Sequence, residues 1–135
     1  MIVKCLSNTG AALPNTCLDP RAGISSDTLF PLTPGRKYVV YALTIYLSHI
    51  WYYIINDDRL PWPVWAPAPL FEVADGSIPQ GWMYGYFRRA NADQYPIVSF
   101  PEWATDHGFY ERLVDGGTPE REAFQRWREA LEPPR

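Results

Sequence analysis

The chain has 135 residues, of which 47 % are hydrophobic and 20 % charged. That length holds one domain, residues 1–135, and that balance excludes disorder as the general state. Net charge is −3, and basic residues cluster only as the pairs Arg36-Lys37 and Arg88-Arg89; with no basic field for a phosphate backbone, nucleic acid is not an expected partner.

Ile2 to Leu6 reads as a short first strand. The start shows no charged segment followed by an apolar stretch, so no signal peptide is visible. Cys5 and Cys17 are too few for a disulfide scaffold or a structural zinc site, and are expected as reduced thiols of a cytoplasmic protein. Ser7 to Pro34 is rich in Asn, Thr, Gly, Ser, Asp and Pro and reads as one long loop. Loops of that length are uncommon without a function or some structure of their own. Inside it, Pro31-Leu-Thr-Pro-Gly-Arg36 matches the P-x-x-P-x-R pattern of peptides that dock on SH3 domains. That match is short and frequent by chance, and a turn into the next strand explains it.

Tyr38 to Ile55 runs YVVYALTIYLSHIWYYII. The run is almost long enough to cross lipid as a helix. However, Tyr, Val and Ile favour a pleated sheet, and Ser48-His49 interrupts the centre. Two strands, Tyr38–Tyr46 and Ile50–Asn56, are therefore expected, and no membrane segment. Both faces of both strands are apolar, whereas a sheet with one wet face alternates. The second face must then be covered, by the C-terminal helices or by a partner.

Asn56-Asp57-Asp58 ends the hairpin with turn chemistry. Asp57 and Asp58 are candidate site residues, because paired carboxylates do acid–base or metal chemistry when their pKa values are driven apart. A solvated turn is the plainer explanation. Leu60 to Pro69, LPWPVWAPAP, is extended but too interrupted by proline for a full ladder. Its Trp62 and Trp65 are the foremost binding candidates, since they set large, rigid contact area on a stiff segment. The alternative is that both indoles tuck into the end of the sheet. Leu70–Val73 is a further strand, Asp75-Gly76 a turn, and Trp82–Phe87 the closing strand.

Charge then changes abruptly: the first 100 residues carry 14 charged side chains and the last 35 carry 13. Helices are expected across 101–135, one starting at Pro101, one capped by Asp106, and one opening at Thr118-Pro119. Ala123, Phe124, Trp127, Ala130 and Leu131 share a face of the last helix, which Pro133-Pro134 stops. The fold class is α+β: a small five-stranded antiparallel SH3-like barrel or strongly bent sheet, followed by two or three C-terminal helices.

Motifs that name a reaction do not occur. His49 and His107 are the only histidines and have no metal-ligand spacing; no nucleophile–base arrangement or phosphate-binding glycine loop appears, so no cofactor or metal is expected. Acidic side chains crowd the C-terminal helices, but interspersed arginines make an ordinary solvated face. The expected function is a non-enzymatic protein-binding or adaptor module, immunity- or antitoxin-like in one form, that docks through Trp62 and Trp65. The alternative is a small enzyme or ligand-binding protein with a pocket between sheet and helices, lined by Tyr53, Trp65 and Trp82. A homodimer through uncovered hairpin surface is a third outcome.

Overall fold

A computed structural model describes residues 1–88 and 94–133; Arg89 and Pro134, used in the sequence reading, lie outside them. Eight strands are described: β1 (Ile2–Cys5), β2 (Lys37–Val39), β3 (Ala42–Tyr46), β4 (His49–Ile54), β5 (Val64–Pro67), β6 (Phe71–Asp75), β7 (Met83–Phe87) and β8 (Tyr95–Ser99). They form two antiparallel sheets, one in the order β2-β1-β6 and the other β5-β4-β3-β8-β7. Three helices follow, α1 (Pro101–Ala104), α2 (Phe109–Val114) and α3 (Thr118–Leu131). The architecture is α+β, but the ladders stay in two sheets and do not close into a five-stranded barrel.

The long strand expected over Tyr38–Tyr46 is divided. It leaves the first sheet and enters the second at Val40-Tyr41, where two successive N–H groups bond to different sheets. Val40 donates to Met1 O at 3.1 Å and Tyr41 to Tyr53 O at 2.8 Å. Val40, Tyr41 and Ala42 are all buried, which a straight half-exposed strand does not allow. The segment Val64–Asp75 crosses back: β5 lies on the edge of the second sheet, a 3₁₀ turn follows at Ala68–Leu70, and β6 joins β1. Two continuous segments thus tie the sheets together around one core of Val3, Cys5, Tyr38, Val40, Tyr52, Ile54, Leu70 and Phe71.

Proline hid two strands. The Leu60–Pro69 run contains β5, paired with β4 from Ile54↔Val64 to Trp51↔Pro67. Its prolines are tolerated because β5 is an edge strand, whose outer N–H groups need no ladder partner. β8 contains Pro96 and lies between β3 and β7. Its ladder with β3 ends at Thr44↔Ile97, one residue before the proline, and the Thr44 hydroxyl donates to Pro96 O at 2.7 Å. Trp82–Phe87 is therefore the free edge of the sheet rather than its closing strand.

The loop from Ser7 to Pro34 is built from three 3₁₀ turns and two isolated bridges, Thr9↔Leu29 and Asp19↔Ile24. It is packed, not loose: Leu13, Cys17, Ile24 and Leu32 enter the core. The Tyr46 hydroxyl donates to the Asp19 carboxylate, and Thr16 Oγ1 lies 2.6 Å from His49 Nε2.

A second core lies between the five-stranded sheet and the helices, with Tyr41, Ala42, Phe87, Ile97, Phe100, Trp103, Phe109, Leu113 and Phe124 buried. The helices thus cover one face of the central hairpin, the first of the two coverings its apolar faces require. Gly108 rather than Asp106 caps α2, and the Asp106 carboxylate instead accepts the Gly108 N–H at 3.0 Å. Gly116, at φ 93°, ends α2 in the left-handed region. Thr118 falls inside α3, after Gly117 as its cap. On α3, Ala123 and Phe124 are buried and Trp127 and Leu131 half-buried, while Ala130 is exposed. No helix among the described residues is long and apolar enough to cross a membrane.

Candidate functional site: an uncovered sheet face

Tyr53 and Trp65 are cross-strand neighbours on the helix-facing side. Tyr53 packs edge-on against the stacked pair of Trp103, at 4.8 Å, and Tyr110, at 5.2 Å, and burial pushes its hydroxyl pKa up. Trp65 is 39 % exposed, with its inner surface against Trp51 at 4.6 Å and Tyr46 at 5.0 Å. Trp62 is half-buried against the helix-side core. Trp82 bridges the two cores, and its indole N–H is buried without a hydrogen-bond partner among the described residues. The two tryptophans of the proline-rich run thus differ: Trp62 packs into the core margin, and Trp65 presents an edge to solvent.

Asp57 and Asp58 are also separated. Asp58 is exposed, and its N–H is taken by the Asn56 side chain at 3.0 Å. Asp57 accepts three hydrogen bonds: from Tyr38 OH at 2.7 Å, Thr33 Oγ1 at 2.6 Å and Arg36 Nη1 at 2.9 Å. Burial works to raise its pKa, but these donors and the Arg36 charge outweigh it, and the pKa is lowered. The Tyr38 hydroxyl in turn accepts the Thr33 N–H at 2.9 Å, so Asp57 pins the end of the long loop to the hairpin. Asp57 also lines a cleft of about 440 Å³ with Arg36, Lys37, Tyr41, Arg128 and Glu132. Glu132 is itself taken by Arg128, at 2.7 Å.

Because the folded pKa of Asp57 lies below its unfolded value, its stabilisation is complete above the ordinary carboxylate value of about 3.9 and is lost as pH falls through the lower folded value. Replacing Asp57 by Ala leaves the buried Tyr38 O–H without its acceptor, although the same oxygen keeps the Thr33 N–H, at an expected cost of about 1–3 kcal/mol. Denaturant midpoints at neutral pH and at about pH 3 should show this difference shrinking with acid.

The feature that sequence reasoning missed is on the other side of the five-stranded sheet. Register places Leu43, Val98 and Tyr84 in one row with Tyr52, and Ile45 beside Ile50 in the next. Pro96 and Tyr86, opposite one another, continue that second row. Tyr52 is buried and Leu43 packs on the first core, but the outer part is open. Tyr84 is 68 % exposed, Tyr86 45 %, Ile45 49 % and Ile50 39 %. None of the five strands contains Asp, Glu, Lys or Arg. Contiguous apolar surface without charge is what interaction sites look like, whereas singly exposed apolar residues need no explanation. The signal was present in the charge-free run Met83-Tyr-Gly-Tyr-Phe87, whose alternation sends both tyrosines to one side.

Burial pushes both thiols up, with Asp57 adding to the effect at Cys5; the two are free, buried and poorly nucleophilic. Among the described residues, no three His, Cys, Asp or Glu side chains are grouped to hold a metal ion. Set against protein-family models, curated proteins and solved structures, the chain matches none.

Proposed function

We propose that the protein is a non-enzymatic binding module that docks an apolar protein surface on the open face of its five-stranded sheet. The observation that carries this reading is the pair of uncharged rows ending in Ile45, Ile50, Tyr84 and Tyr86, left uncovered while the opposite face is packed under three helices. Tyr at the centre of such a patch supplies contact area at low entropy cost. Adaptor, immunity-like and antitoxin-like roles are all forms of this activity. The way β2–β3 and β5–β6 cross between the sheets is the feature on which an SH3-like description of the fold would rest. Two unpaired thiols accord with a reducing compartment such as the cytoplasm.

The test is affinity capture from the native source with the wild-type chain and two double variants. Ile45→Lys with Ile50→Glu keeps opposite charges on directly paired positions, so the hairpin survives while the face becomes polar. This variant should lose the captured protein and keep its thermal midpoint. Trp62→Ala with Trp65→Ala reports on the proline-rich surface instead. Capture that survives the first variant and fails with the second would move the docking surface to Trp65.

A further inference from the structure

We infer that β7 is a self-pairing edge, through which two copies of this chain join antiparallel and extend the five-stranded sheet across a twofold axis at Gly85. The inference deepens the proposed function, since it uses the edge of the same sheet whose face would receive the partner, but the two are separable by experiment.

Exposed sheet edges are normally guarded, by proline, by charge or by a covering segment. Three edges of this molecule are. β5 ends in Pro67 and follows Pro63, β6 carries Glu72 and Asp75, and β2 begins at Lys37 next to Arg36. β7 has neither proline nor charge within Met83–Phe87; the nearest charge is Arg88, which follows the strand and lies over the Tyr86 ring at 5.8 Å, on the face of the sheet rather than along its edge. Among the described residues β7 pairs with β8 alone, and Met83, Tyr84 and Tyr86 are exposed.

The occupant is named by the strand itself. Met83-Tyr84-Gly85-Tyr86-Phe87 has the same pattern read in either direction. About an axis at Gly85, Tyr84 of one copy stands opposite Tyr86 of the other, twice over, on the open face. Aromatic pairs across a ladder are among its better contacts. Continuing the register by one residue sets Arg88, which lies over Tyr86 of its own copy at 5.8 Å, opposite Trp82 of the other, so the only charge the pairing adds faces an aromatic residue and not a second cation. Gly85 brings no side chain to the axis. Net charge of −3 does not oppose the contact, because the paired positions hold no acid.

Three exposed side chains and one short strand edge make a contact smaller than the roughly 800 Å² per copy of a standard interface, which fits a weak, reversible dimer rather than an obligate one. The joined sheets would present both apolar faces side by side.

Sedimentation equilibrium of the wild-type chain from about 1 to 300 μM should follow a monomer–dimer isotherm, and a monomer throughout would overturn the inference. A chain with Tyr84→Lys and Tyr86→Lys, and another with Tyr84→Glu and Tyr86→Glu, should each dimerise at least about tenfold more weakly. Mixed in equal amounts they should recover a dimer, an outcome that misfolded variants cannot give. Failure to recover it, with both variants folded by circular dichroism, would overturn the pairing. The Ile45→Lys, Ile50→Glu chain should dimerise like wild type; loss of the dimer there would overturn the edge in favour of face-to-face packing. Absence of any captured protein removes the proposed function without touching this isotherm.

Discussion

Replacing Phe100 with Ala should lower the unfolding free energy by about 3–5 kcal/mol, the largest single effect anticipated for this chain. Phe100 is fully buried where the last strand passes into α1. Its ring meets Trp103 at 5.9 Å and Phe109 at 5.6 Å edge-on, and stacks on Trp127 of α3 at 5.3 Å. One side chain thus joins all three helices. The residues around it are large and stiff, and Trp103 is itself stacked on Tyr110 at 5.3 Å, so the cavity cannot collapse easily. The backbone role survives the change, because the Phe100 carbonyl still accepts the N–H groups of Trp103 and Ala104. The loss is therefore one of packing. It should appear as a lower denaturant midpoint with an unchanged slope. Tyr84→Ala, at a mostly exposed ring, should stay within about 0.5 kcal/mol in monomeric protein. A Phe100→Ala chain as stable as that control would mean that the helices do not share one core.

Docking of α3 was legible because its signal is local. Phe124 and Trp127 lie on one helical face, and the partner they required is Tyr41, at 5.0 Å from Phe124, together with Phe100. The apolar character of both faces of Tyr38–Tyr46 was also read correctly as a sign of two packing layers. What the pattern could not show is that the chain changes sheets at Val40-Tyr41, because that turnover is expressed only in where two N–H groups point. β8 was invisible for a related reason. Pro96 argues against a central strand, and only the early end of the β3 ladder makes it tolerable. That one strand decides the site. Without β8, Tyr84 and Tyr86 belong to the closing strand of a barrel; with it, they belong to an open edge. Trp62 and Trp65 stand out in the sequence as large, rigid rings on a proline-stiffened segment, but residue type and stiffness cannot distinguish an indole lodged at a core margin, as Trp62 is, from one turned outward, as Trp65 is. The aromatic residues left most open to water are Tyr84 and Tyr86, on a strand with no charge of its own although Arg88 lies over the Tyr86 ring at 5.8 Å, and the face they share with Ile45 and Ile50 becomes apparent only in register.

Gly85→Ala should destabilise the fold by about 2 kcal/mol, near the middle of the usual range for overpacking. A Cβ at Gly85 would stand 1.9 Å from the Ala104 carbonyl oxygen, inside any allowed contact. The obstacle is backbone, so no rotamer change relieves it. Relief requires α1 to lift from β7, and α1 carries Trp103, which is packed against Phe100, Phe109 and Tyr53. Opposing this, Ala in a strand interior regains roughly 0.5–1 kcal/mol that Gly forfeits in chain entropy. The steric penalty is larger, so the net sign is destabilising. For a chain of this length the thermal midpoint should fall by roughly 6–10 °C. Gly76→Ala is the matched control, because a Cβ there meets only Val73 Cγ1 at 3.4 Å, an ordinary contact. Equal midpoints for the two variants would mean that α1 does not rest on β7.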